Sequence, residues 1–156
     1  MKHHELQVDH LAFPSFDPEE TWRFYTEVMR LPLIDVITTG GTEPLLITRF
    51  GLADGRQLMF FTIKDMERPA DKVLPDWLCH YAFSASSVGA LQDWRHRLSK
   101  LGIEFTEENN SNQRSLHFTD PNGVMLEVNY QPSDTLTGNS PNGALQEMRS
   151  WIRAHL

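Results

Sequence analysis

The stretch DHLAF at residues 9–13 returns as CHYAF at residues 79–83, so His10 and His80 each stand near the start of an apolar run of strand character, 70 residues apart. An imidazole so placed can bind a divalent metal through a neutral nitrogen or carry a proton near neutral pH. Two core strands alike by coincidence would read the same way, and so would a duplication whose copies each supply a histidine. A second marker decides between them. RFGLADGRQLMFF (49–61) and HFTDPNGVMLEVN (117–129) align without a gap, at an offset of 68 residues. Phe50 then matches Phe118, Gly55 matches Gly123 and Leu58 matches Leu126, while Arg49 falls on His117 and Met59 on Glu127. The chain reads as one unit written twice.

Each copy must fold so as to place these residues. The shared Gly sits at a polar turn between two apolar runs, the pattern of a hairpin whose turn needs an unusual backbone dihedral. Between the markers each copy predicts one helix. Asp17 is a good N-cap with Pro18 at the first helical position and Glu20 in a capping-box pattern. Trp22, Tyr25, Val28 and Met29 follow at helical spacing, and the run ends before Pro32. In the second copy Ser86 or Ser87 starts the helix, Leu91, Trp94, Leu98 and Leu101 form its apolar stripe, and Gly102 ends it. Three strands follow each helix: 33–38, 44–50 and 57–63, then 103–107, 114–119 and 124–130. The fold class is α+β, two tandem βαβββ units over 6–70 and 75–130. Such a unit cannot bury its own sheet, so the two should share one core, making 1–156 a single domain. Residues 131–140 carry turn formers and read as a linker. A last helix over 141–156, opened by Ser140 and Pro141, sets Ala144, Leu145, Met148, Trp151, Ile152 and Leu156 on one face, which must cover a sheet or a second subunit.

The composition bounds the function. With 156 residues, 40% hydrophobic and 22% charged, the chain suits one compact globular domain. A net charge of −7 and scattered Lys and Arg argue against a nucleic-acid or anionic membrane surface. No apolar run approaches the roughly 20 residues that span a bilayer, and the start, MKHHELQVDH, shows no secretory pattern. His3 and His4 there make no metal site by themselves. The single cysteine, Cys79, allows no internal disulfide and suits a cytoplasmic location. Strand alternation sends it to the face opposite His80, into the core.

A doubled βαβββ unit with a histidine opening each half and DPNGVMLE near the end resembles the vicinal oxygen chelate superfamily, which includes glyoxalase I, extradiol dioxygenases, fosfomycin-resistance proteins and bleomycin-binding proteins. The resemblance covers about residues 6–130 and leaves the last helix outside. It implies a curved mixed sheet forming a cup, with metal ligands from the first and last strands of each unit. Those positions are His10, Met59, His80 and Glu127. Two imidazoles and a carboxylate, His10, His80 and Glu127, suit Fe(II) or Mn(II), with Zn, Ni or Co also admissible, whereas the thioether of Met59 is a poor ligand for such hard ions and falls to the substrate side.

The resemblance also bears on the reaction. Ten residues before the glutamate ligand, extradiol dioxygenases carry a catalytic tyrosine; here the position holds His117, an imidazole able to act as acid or base. The histidine those enzymes place further upstream is missing from EENNSNQ (107–113). Arg49 could pair with a substrate carboxylate or phosphate. The implied protein is a metal-dependent enzyme that chelates a small substrate through two adjacent oxygens. An extradiol-like oxygenase is favoured; the alternatives are a glyoxalase-like lyase, isomerase or epimerase, or a binding protein that uses the cup without chemistry. Relatives commonly form dimers across their units, so a homodimer is expected.

Overall fold

The computed structural model describes residues 7–70, 75–110, 113–132 and 141–155. His3 and His4, most of the expected linker, Ser140 and Leu156 lie outside them. The elements run β1 (His10–Pro14), α1 (Pro18–Arg23, widening into a π-helical segment over Phe24–Val28), β2 (Leu33–Thr39), β3 (Leu45–Gly51) and β4 (Gln57–Ile63). The second half repeats them as β5 (His80–Ser84), α2 (Val88–Lys100), β6 (Phe105–Asn109), β7 (Arg114–Thr119) and β8 (Met125–Tyr130), and α3 (Pro141–His155) follows.

The strands form two four-stranded mixed sheets of identical order, β1-β4-β3-β2 and β5-β8-β7-β6. In both, the first strand runs parallel to the last, and the other pairs are antiparallel. The duplication holds at the level of register. Ala12 and Arg49 flank Met59 in the first sheet as Ala82 and His117 flank Glu127 in the second. The hairpin glycines Gly55 and Gly123 have φ of 87° and 86°, a region that favours glycine.

Paired residues share a face and successive residues alternate between faces. One face of each sheet therefore carries Phe50, Leu58 and Phe60, or Leu116, Phe118, Leu126 and Val128, all buried together with Tyr25, Leu91 and Leu98 in one core. The other face carries His10, Arg49 and Met59 in the first sheet and His80, His117 and Glu127 in the second.

Local signals act as their chemistry requires. Asp17 Oδ1 accepts from the backbone of Glu19 and Glu20 at 2.9 and 3.0 Å, and Ser87 Oγ caps α2 through Ala90 N at 3.1 Å. Three expectations need correction. Trp22 is 42% exposed, because α1 turns Thr21, Phe24, Tyr25 and Met29 to the core and Trp22 lies one position, about 100°, round the helix. Leu101 is exposed, since it is the capping residue where the chain leaves the helix towards Gly102 at φ +69°. Cys79 is exposed rather than buried, because it precedes β5 and no strand pleat holds it against the core.

The two halves are joined by polar contacts as well as apolar ones. Tyr25 of α1 donates to Asp120 Oδ2 of the second half at 3.0 Å and shares a hydrogen bond with the Tyr81 hydroxyl of β5. Asn122 donates to Thr21 Oγ1 at 3.0 Å and accepts from Phe16 N at 3.0 Å. Arg97 of α2 donates to the Val28 and Glu27 carbonyls. Burial, above all, pushes the Tyr25 and Tyr81 hydroxyls up from the ordinary phenol range, so both stay protonated and can donate. The Asp-Pro-Asn-Gly part of the family-like stretch thus ties the halves together, while Met125 and Glu127 beyond it reach the open face. Helix α3 keeps Leu145, Met148, Trp151 and Ile152 exposed.

Candidate metal centre

Glu127 sits mid-strand on β8 and is 4% exposed. A carboxylate so buried needs donors. Its Oε1 accepts from Ser115 Oγ at 2.6 Å, Gln113 Nε2 at 2.7 Å and Asn129 Nδ2 at 3.3 Å. Burial pushes this carboxyl up, but the hydrogen bonds from Ser115, Asn129 and Gln113 and the nearby His117 outweigh it, and the net shift is downward, towards the ionised form.

The other oxygen, Oε2, faces two imidazoles. His80 Nε2 lies 3.1 Å away and His117 Nε2 3.6 Å away. The two rings stand edge to face, 6.2 Å between centroids. The register accounts for this: His117 pairs directly with Glu127 across β7 and β8, and His80 sits on the neighbouring strand two residues before Ala82, Glu127's partner. Together with Trp77, Glu108, Gln113 and Met125 they line a recess of about 240 Å³.

His80 Nδ1 lies 2.9 Å from the Trp77 carbonyl oxygen. A carbonyl only accepts, so Nδ1 carries a proton, and in the neutral ring Nε2 would present a lone pair. That lone pair then points at an ionised carboxylate oxygen 3.1 Å away. Two acceptors at this distance repel unless a cation lies between them, either a second ring proton or a metal ion. A backbone carbonyl on the distal nitrogen is the partner that prepares a metal-ligating histidine. The residues present therefore fit a divalent ion at His80 and Glu127.

The remaining expected residues lie on the first sheet. His10 Nδ1 is 2.8 Å from Asp9 Oδ2 on a half-exposed ring. Met59 is buried, and Arg49 beside it reaches Asp35 Oδ2 through Nη1 at 3.3 Å. Among the described residues, no three His, Cys, Asp or Glu side chains are arranged as a ready metal cluster. The fold thus gathers His80, His117 and Glu127 in one recess and puts His10, Arg49 and Met59 on the matching face of the other sheet. Sequence reasoning missed Ser115, Asn129 and Gln113. Strand alternation could have found the first two, each being two residues from His117 or Glu127 on the same face. Gln113 closes the EENNSNQ stretch and brings an amide where a histidine was sought.

Solved structures share this architecture. A glyoxylase/bleomycin resistance protein/dioxygenase domain from Frankia sp. EAN1pec superposes with a TM-score of 0.67 at 20% identity, over 82% of this chain and 99% of that one. Lactoylglutathione lyase from Agrobacterium tumefaciens gives 0.60 at 19% identity, over 86% and 98%. A glyoxalase/bleomycin resistance protein/dioxygenase from Alicyclobacillus acidocaldarius gives 0.59 at 18%, over 85% and 96%. At such identities the likeness speaks for the fold alone. No match is found among curated proteins. The sequence model of one family, however, matches residues 7–128, which span both sheets and the recess: the chain belongs to the Glyoxalase/Bleomycin resistance protein/Dioxygenase superfamily.

Proposed function

We propose that the chain is a metal-dependent enzyme acting on a small organic substrate held through two vicinal oxygens, an extradiol-type oxygenase being favoured over a lyase, isomerase or epimerase. The observation that supports this is the 3.1 Å approach of His80 Nε2 to Glu127 Oε2, held from behind by the Trp77 carbonyl and by Ser115, Gln113 and Asn129. His80 and Glu127 would hold the ion, with His10 as third ligand. The two-histidine, one-carboxylate set suits Fe(II) or Mn(II) and leaves positions for two substrate oxygens. When bound, such an ion supplies Lewis-acid stabilisation of negative charge on those oxygens.

The protein's own groups do the rest. Ser115, Gln113 and Asn129 fix the carboxylate's orientation and keep it ionised. His117, in the same recess, is the titratable side chain there best placed to hold or take a proton at a substrate oxygen. Met59, at the repeat position of Glu127, gives the substrate an apolar wall.

His10 lies on the open face of the first sheet, where Ile37 and Ile63 stay exposed. We assign its role to a homodimer in which that face of one copy covers the recess of the other, so that each site draws His80 and Glu127 from one chain and His10 from its partner. The exposed apolar side of α3 supports an additional subunit contact. The absence of a ready three-donor cluster among the described residues favours a second reading, a binding protein that encloses an organic molecule without chemistry. Metal analysis decides: after dialysis against buffered trace metals, about one ion per chain in the wild type and none in Glu127→Ala supports the enzyme, followed by oxygen uptake with catechols. A metal-free wild type overturns it.

A further inference from the structure

Arg49 and Met59 pair across β3 and β4 as His117 and Glu127 pair across β7 and β8. The first sheet therefore keeps the geometry of the recess but exchanges its chemistry. The carboxylate becomes a thioether and the imidazole a guanidinium, so where one face can hold a cation, the other presents one of its own. Arg49 is only partly satisfied. Asp35 Oδ2 takes Nη1 at 3.3 Å, on a half-exposed side. Nε is buried without a hydrogen-bond partner. A buried donor without an acceptor is costly, and few such groups persist without a reason. Nε and Nη2 form the side edge of the guanidinium, whose two parallel N–H groups match a planar carboxylate. On the same face Met59 is buried and Ile47 and Phe61 are half-buried, alongside the polar Asp35, Gln57 and His10.

We infer that Arg49 makes this face a carboxylate subsite, and that the substrate class is a small organic acid with an apolar body. The carboxylate takes the Nε–Nη2 edge, Asp35 keeps Nη1 and aims the group, and the apolar body lies along Met59, Ile47 and Phe61. The inference rests on the reading above in one respect: the carboxylate and the vicinal oxygens belong to one molecule only if the two open faces share a cup.

The test is calorimetric titration of the full chain, stripped of metal by chelator, with benzoate and with its neutral isostere benzamide. Wild type should bind benzoate about ten-fold or more tightly than benzamide, the size of one charge-assisted hydrogen bond. Arg49→Gln should abolish that preference while its circular dichroism and melting temperature stay unchanged. Arg49→Lys, which keeps the charge and loses the planar edge, should retain part of it. Glu127→Ala should leave it intact, so a failed metal site and a failed carboxylate subsite give different results. Equal affinity for the two probes in wild type, or an unchanged benzoate preference in Arg49→Gln, overturns the proposal.

Discussion

His80 and Glu127 face each other nitrogen to oxygen: Nδ1 of the imidazole is committed to the Trp77 carbonyl, leaving Nε2 3.1 Å from Oε2 of the buried carboxylate. The pair needs positive charge between the two atoms, a second ring proton or a metal ion, and the other carboxylate oxygen is held by three donors.

Removing the carboxylate therefore removes the demand. Glu127→Ala should lose metal on dialysis while keeping its sheet. Ser115→Ala should weaken metal affinity by roughly 10–100-fold, the usual effect of a lost partner behind a ligand. Competition with a chelator of known affinity measures both, and full occupancy of Glu127→Ala would remove the assignment.

The sharing of ligands between copies has a sharper test. His10→Ala and Glu127→Ala should each lack metal as homodimers. Mixed by unfolding and refolding together, they should form heterodimers with one intact site, recovering about a quarter of the wild-type metal content. Mixtures that stay empty would put His10 in the same chain as its partners, and a His10→Ala homodimer that keeps its metal would put His10 outside the site.

His117 should act on protons rather than on the ion. His117→Ala should keep its metal and lose about 10²–10⁴-fold in kcat on the true substrate. His117→Tyr restores the phenol of the dioxygenase pattern, and a gain in oxygen uptake with a catechol would favour the oxygenase reading. Wild-type kcat for His117→Ala between pH 5 and 9 would exclude the role.

Glu127 also predicts a pH dependence of the metal-free fold. Its carboxyl is held below the ordinary value of 4.5 in the folded state. The stability this adds is complete above that unfolded value and fades as pH falls through the lower folded one. Urea unfolding between pH 6 and 3 should show a decline that Glu127→Gln reduces. An identical decline in the variant would mean that other carboxyls carry it.

At the junction of the halves, Tyr25→Phe takes a donor from buried Asp120, whose Oδ2 keeps Asn122 Nδ2 at 3.2 Å. A loss of about 1–3 kcal/mol in unfolding free energy is expected. A change under a few tenths would show the junction to be apolar in substance.

Much of this was legible in the sequence because duplication supplies its own control. Matching Phe50 with Phe118 and Gly55 with Gly123 gave the strand register, and with it the faces on which His10, Arg49, His80, His117 and Glu127 lie. Periodicity misplaced Trp22 and Leu101, since a helix stripe read at fixed spacing ignores where the helix widens or ends. The partners of Glu127 were hidden for another reason. Ser115, Asn129 and Gln113 are ordinary polar residues, and only a buried charge beside them makes them matter. Nor could spacing show that Asp120 and Asn122 serve the junction, because their partners Tyr25 and Thr21 lie some hundred residues earlier in the chain.

That junction has a mechanical consequence. Tyr25, Thr21 and Phe16 are completed by residues of the second half, while Arg97 of α2 reaches back to close the end of α1. Each half is therefore an unfinished core on its own. A chain cut between β4 and β5 should yield fragments that fold only when combined, and in the intact chain these bonds hold the two halves against opening. Whatever exposes or encloses the recess has to happen at its rim or between copies.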